Sequence, residues 1–160
     1  MQTFDQIISI VGGVCHHPYS TDVNSTPKSI KLSVDDLQLM MQELLNNSML
    51  YFDSLSCVTG IDNGPAMGTM EVAYNLYSIP FNHHLMVKVE TAREGASVPS
   101  VCHLWRTAEW HEREIFDMFG IHFSNHPDLR RILMPSDWEG HPLKKDYKQQ
   151  EYYRDIKVEF

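Results

Sequence analysis

Side chains able to do chemistry crowd into the last third of this chain, and each arrangement there can be set against a reaction. His111-Glu112-Arg113-Glu114 begins like the helical zinc motif H-E-x-x-H, but the second histidine is missing. The pairs His16-His17 and His83-His84 send adjacent side chains in diverging directions, so the nine histidines supply no ligand set at metal spacing. Glu112 and Glu114, two residues apart on a helix, point to different faces, which suits salt-bridging better than paired acid–base work. There is no G-x-S-x-G, and Cys15, Cys57 and Cys102 fall in segments that read as core or loop. Glycines at 12–13 and 60–68 fit neither the phosphate-loop nor the dinucleotide pattern. Catalytic, cofactor-binding and metal-ligating residues are therefore expected to be absent from this chain.

The same region does offer a binding strip. Residues 126–147, HPDLRRILMPSDWEGHPLKKDY, lack helical or strand period, yet Arg130, Arg131, Asp137, Trp138, Glu139, Lys144, Lys145 and Asp146 alternate in sign around an aromatic anchor. His141 and Tyr147 belong to the same strip. Loops longer than about 12–15 residues without structure are uncommon unless they bind something. We expect this segment to lie on a partner and become ordered there; the alternative leaves its charges solvated and Trp138 capping the domain's own core.

Composition narrows the choice. A chain of 160 residues fits one domain with a single core. Its net charge of −8 disfavours nucleic acid or an anionic bilayer as the main partner. Residues 1–100 hold 4 basic and 10 acidic side chains, whereas 101–160 hold 9 and 11, so the last third is the more charged part. Three cysteines with no C-x-x-C exclude a disulfide framework and any cluster held within the chain, which implies a reducing compartment. No uncharged run reaches the ~20 apolar residues of a membrane span, and the N-terminus shows no secretion signal.

Several elements must position the strip. Phe4, Ile7, Ile8 and Val11 predict a short amphipathic helix stopped at Gly12-Gly13, and SIKLS at 29–33 a short strand. Ser33 then stands before a helix with Asp35 and Asp36 in its first turn and Leu37, Met40, Met41, Leu44 and Leu45 as its buried stripe. Residues 49–58 read as a strand with turn chemistry after it, and 70–76 and 85–89 as an antiparallel hairpin. Pro99 suits the first turn of a long helix to Phe119, ended by Gly120, with IHF as a last strand. On that helix Val101, Trp105, Ala108, Ile115, Phe116 and Phe119 form an apolar face with Glu112 in its middle. A buried carboxylate requires a cationic or multiply hydrogen-bonded partner, Arg130 and Arg131 being the nearby cations. The opposite face carries Arg106, Trp110, Arg113, Glu114 and Asp117, and an exposed Trp110 among charges indicates an interface. The result is an α+β fold, a mainly antiparallel sheet with helices packed on one face, over residues 1–123, followed by an irregular C-terminal docking segment over 124–160.

The run from Trp105 to Tyr147 resembles the signature of the 30-kDa subunit of respiratory complex I, the NADH:quinone oxidoreductase. Glu112-Arg113-Glu114, Asp117-Met118-Phe119-Gly120-Ile121, His126-Pro127-Asp128-Leu129-Arg130-Arg131 and Trp138 through Tyr147 carry the match, while SLSCVTGID agrees only in pattern. The resemblance implies a non-catalytic member of the peripheral arm of a proton-translocating enzyme, on the cytoplasmic side of an energy-transducing membrane and touching that membrane only through the complex. It implies no cofactor in this chain; iron–sulfur clusters, FMN and quinone are expected in partner subunits. The implied main partner is the 49-kDa-type subunit, beside other hydrophilic-arm subunits, with 126–147 as the docking strip and Glu112, Arg113, Glu114 and Asp117 bracing its start through ion pairs. A related subunit of a membrane-bound hydrogenase or another donor's dehydrogenase carries a similar signature. Asn125 stands where the family often has Gly, a position where Asn tolerates a left-handed backbone.

Overall fold

A computed structural model describes residues 3–158. Helix α1 (Phe4–Gly12) opens the chain, its Thr3 side chain accepting from the Gln6 backbone N–H while Gln6 reaches back to the Thr3 N–H. Strands β1 (Ser20–Asp22) and β2 (Ser29–Leu32) follow, then helix α2 (Leu37–Asn46), β3 (Ser54–Asp62), β4 (Thr69–Ser78), β5 (His83–Ala92) and β6 (Ser97–Pro99). Helix α3 (Ala108–Phe119) leads to β7 (His122–Ser124), and a small hairpin, β8 (Tyr152–Tyr153) and β9 (Ile156–Lys157), lies near the end.

The main sheet runs β1-β2-β5-β4-β3, antiparallel except for the β2–β5 pair. Alternation on β4 and β5 sends Met70, Val72, Tyr74, Leu76, Leu85, Val87 and Val89 into the core, where they meet Ile7 and Val11 of α1 and Leu37, Met40, Met41 and Leu44 of α2. On the other face Glu71 stands directly opposite Glu90, and the Lys31 ammonium bridges them at 2.8 and 2.7 Å, relieving a like-charge pair. Helix α3 lies directly on β3: a Cβ at Gly60 would sit 2.8 Å from the Phe119 ring and 3.0 Å from Ile115, so only glycine permits that approach.

Some boundaries differ from the expectations above. Residues 98–107 are not helical. Val98 is buried and Ser97–Pro99 pairs in parallel with β7, so IHF joins this two-stranded ribbon and not the main sheet, and α3 begins only at Ala108. The strand expected over 49–58 starts at Ser54 and continues to Asp62, because Tyr51 at φ +38° closes a turn after α2. Asp35 and Asp36 fall in a 3-10 turn (Val34–Asp36) before α2, with Ser33 capping it. Asp36 is buried there, accepting from the backbone N–H groups of His16 and His17 at 3.2 and 2.9 Å. A carboxylate expected to serve a helix terminus thus pins a distant loop.

Candidate functional site

Helix α3 ends where Gly120, at φ +77°, takes the left-handed conformation that stops a helix. The carbonyls left unpaired at that end are taken by the C-terminal segment: His141 Nδ1 donates to the Asp117 carbonyl at 2.9 Å and the Leu143 N–H to the Met118 carbonyl at 3.0 Å. A carbonyl only accepts, so Nδ1 carries the proton; burial and the nearby Arg131 and Lys144 push the imidazole's pKa down. Gly120 also leaves room for that ring, since a Cβ would lie 2.6 Å from His141 Cδ2. Gly120→Ala is therefore expected to cost at least about 1–2 kcal/mol, read as a lower melting temperature; an unchanged melt would contradict the seating of His141.

Asp117 is the anchor of the segment. Fully buried, its Oδ2 accepts from the successive backbone N–H groups of Ile132, Leu133 and Met134 at 3.0, 2.8 and 2.8 Å, and its Oδ1 from Arg131 at 2.7 Å. Arg131 also donates to the Gly140 carbonyl at 2.9 Å. Burial alone would raise this carboxyl's pKa, but the donors of Met134, Arg131, Leu133 and Ile132 outweigh it and hold the group below the ordinary range. Asn125 adopts φ +62°, so the left-handed turn before the strip survives without glycine.

A second buried carboxylate fixes the far end. Asp62, at the end of β3, receives the Arg93 guanidinium through Nε at 2.9 Å and a second nitrogen at 3.0 Å, and also the backbone N–H groups of Gly64 and Lys145 at 2.9 and 2.8 Å. Arg93, itself buried, turns its remaining donors to Asp146. Where the sequence led to an expectation of ordering on a partner, the structure shows four backbone N–H groups of the segment, those of Ile132, Leu133, Met134 and Lys145, held by two carboxylates of its own domain. Trp138 does not cap the core either; half-buried, its Nε1 donates to the Tyr147 hydroxyl at 3.0 Å.

The bracing residues differ from expectation. Glu112 is fully buried, as its place on the apolar face requires, but neither arginine reaches it. It accepts from the Val101 N–H at 2.8 Å and the Cys102 thiol at 3.2 Å, because it faces the loop before α3 and, of the C-terminal strip, His126 at its start and not the two arginines. Arg130 pairs instead with exposed Asp128. Arg113, also buried, donates to the carbonyls of Arg130 and Arg131 at 3.2 and 3.3 Å, and Glu114 is exposed without an ion pair among the described residues. Of the four expected ion-pairing groups, Asp117 alone forms one, with Arg131, since its turn of helix faces the tail.

Around Glu112 the structure makes a cluster that spacing could not reveal: Cys102, Glu112 and His126 bring potential ligand atoms within 4.8 Å of one another. Within it the Cys102 thiol donates to Glu112, while His126 is turned to its own neighbours, Nε2 donating to the Glu109 carbonyl at 3.1 Å and Nδ1 accepting from the Asp128 N–H at 3.0 Å. Burial pushes the Cys102 thiol up to about 12 and raises the Glu112 carboxyl. A carboxyl raised on folding loses stability as pH climbs from 4.5 through its native value, so Glu112→Gln, which keeps the acceptor for Val101, is expected to flatten that slope. Urea midpoints at pH 5 and 8 would show it; a variant weakened more at pH 8 than at pH 5 would contradict it.

The outward surface is what remains of the strip. Trp110 is 61% exposed, with the Arg113 guanidinium 5.4 Å from its ring, and Leu133 and Leu143 are 61% and 53% exposed. Arg130, Glu139 and Lys145 are also exposed and Lys144 is half-buried, whereas Arg131, His141 and Asp146 are tied inward and Asp137 is held by Arg154 at 2.8 Å.

A family profile described as the respiratory-chain NADH dehydrogenase, 30 kDa subunit, matches residues 30–153. An NADH-quinone oxidoreductase subunit of Chlorobium phaeobacteroides is 48% identical over 126 residues, covering 78% of this chain and 74% of that protein. The subunit of the same name from Chloroherpeton thalassium is 46% identical over 129 residues, which is 80% of this chain but only 53% of that protein. Among solved structures, the trypsin-resistant fragment of Nqo5 aligns with a TM-score of 0.58 at 26% identity, covering 69% of this chain and 89% of the fragment. A chain of an archaeal membrane-bound sulfane sulfur reductase shares the fold, with a TM-score of 0.67 at 22% identity over 90% of this chain and 82% of that one.

Proposed function

The chain belongs to the 30-kDa subunit family of the respiratory-chain NADH dehydrogenase, and from that membership we propose that it is a non-catalytic peripheral-arm subunit of a proton-translocating NADH:quinone oxidoreductase. Its work is to hold the 49-kDa-type subunit that forms the quinone pocket. Electrons pass through iron–sulfur clusters and FMN in other chains, and the protein sits on the cytoplasmic side of the membrane through the complex. Among the described residues no helix is long and apolar enough to cross a bilayer, which is compatible with that placement.

One observation carries the reading: an exposed Trp110, Arg130 and Leu133 lie on and beside a segment whose backbone is locked from within by Asp117. An exposed aromatic and an arginine on a rigid frame are the side chains that anchor protein interfaces. Affinity purification of the tagged chain from solubilised membranes should bring down the 49-kDa-type subunit. Trp110→Ala and Arg130→Ala should reduce that recovery while leaving the chain's own melting temperature unchanged. A wild-type chain recovered alone would overturn the reading.

A further inference from the structure

Spacing along the chain supplies no metal-ligand set, but the fold brings one together where three segments meet: the loop before α3 gives Cys102, α3 gives Glu112, and the start of the strip gives His126. Their ligand atoms all lie within 4.8 Å of one another, with Cys102 Sγ 3.2 Å from Glu112 Oε2. In a tetrahedral zinc site, bonds of about 2.0–2.3 Å place the ligand atoms roughly 3.3–3.7 Å apart. Closing the widest gap therefore takes at most about 1.5 Å of side-chain movement. Cys102 and His126 are only half-buried, which leaves them that freedom.

Two further observations point to a cation. Glu112 is fully buried, yet the Val101 N–H and the Cys102 thiol that reach it are neutral, and no cationic side chain pairs with it among the described residues. A buried carboxylate is costly unless a cation or a metal ion meets it. Tyr74 is also fully buried, its hydroxyl has no hydrogen-bond partner among the described residues, and Glu112 and Cys102 are the groups whose charge acts on it. An orphaned hydroxyl beside two ligand atoms calls for a polar occupant. His126 already holds the required tautomer: Nε2–H donates to the Glu109 carbonyl, as metal-bound imidazoles commonly do, and the lone pair stays on Nδ1. To bind, Nδ1 releases only the N–H of exposed Asp128, which can turn to water. Access is through a depression of about 460 Å³ lined by Cys102 with His103, Arg106, Glu109, Asn125 and Pro127. Arg106 offsets Glu109 there, so the pull on a cation comes from the buried ligands and not from the rim.

We propose that Cys102, Glu112 and His126 form a binding site for a divalent cation of the zinc class, which fastens the start of the strip to α3 and to the loop before it. On binding, the Cys102 proton passes to solvent, and one thiolate, one carboxylate and one neutral imidazole set a charge of −2 against the ion. A thiolate beside an imidazole selects zinc or cobalt over magnesium or calcium. Three protein ligands leave a fourth position for solvent, for which the Tyr74 hydroxyl is the available partner.

The test uses the purified chain, stripped with a chelator and then loaded with zinc(II) or cobalt(II). One ion per chain is expected, with a thiolate-to-cobalt charge-transfer band in the near ultraviolet and a melting temperature that rises with zinc concentration. Cys102→Ser should abolish the band and weaken zinc binding by at least about tenfold. Cys57→Ser, on β3 and outside the cluster, should change neither. His126→Gln should weaken zinc binding in the same way, and it serves as the second variant should Cys102→Ser fail to fold. A wild-type chain that binds no ion, or a folded Cys102→Ser chain with the wild-type band and affinity, would overturn the site. Zinc binding that survives both variants but is lost with His16→Asn and His17→Asn would reveal an adventitious surface ion only, and would overturn it too. Recovery of the 49-kDa-type subunit plays no part in these readouts, so failure here leaves the docking reading standing.

Discussion

Asp117→Ala is expected to lower stability by about 3–5 kcal/mol, because it removes the partner of a half-buried arginine and of three successive backbone N–H groups in one step. The loss should be local as well as global. Residues 126–147 would no longer be fixed at their start, and limited proteolysis should cut there first while the sheet survives. The pH dependence follows from the sign of the shift. A carboxyl held below its ordinary range contributes stability that is complete above about pH 4 and is lost as pH falls through the native value. The wild-type segment should therefore loosen in acid, and Asp117→Ala should already be loose at neutral pH. An alanine variant with wild-type melting and proteolysis would show that the segment is held by something other than this carboxylate.

Arg93→Met should give the second largest effect, a fall in melting temperature of roughly 5–10 °C at pH 7. Arg93 is the main reason that Asp62 stays ionised far below the usual carboxylate range. With the guanidinium gone, Asp62 keeps the N–H groups of Gly64 and Lys145, but its burial is opposed by no cation and its pKa rises above the ordinary value. The sign of the pH effect then reverses between pH 7 and 5: protonation of Asp62 relieves a buried charge, so the variant should recover part of its loss on mild acidification. Melting curves at the two pH values check this. A deficit that grows as pH falls would place the main burden on another group.

The sheet was legible in the sequence because β4 and β5 alternate, Ala73 aside, and alternation maps directly onto one buried face. The burial of Glu112 was legible for a similar reason, since a helical wheel places it among apolar residues. Its donors were not. Val101 and Cys102 sit on a turn whose course depends on the pairing of β6 with β7, a long-range contact that no local period encodes. The same limit explains Asp117. The wheel assigns it to the outer face of α3 with Arg113, but the C-terminal segment covers that side, leaving Trp110 and Glu114 as the outward residues there. The strip was visible as an aperiodic, charged and aromatic run, and its ordered state was not, because the groups that order it lie on α3, β3 and the turn after β5.

The most direct test of a preformed docking surface is hydrogen–deuterium exchange over residues 126–147, in the isolated chain and in the assembled complex. The account predicts that the amides of Ile132, Leu133, Met134 and Leu143 are already slow in the isolated chain, and that assembly adds protection around Trp110 and from Trp138 to Tyr147. Exchange of the whole segment at the rate of an unfolded peptide, slowed only by the partner, would contradict it.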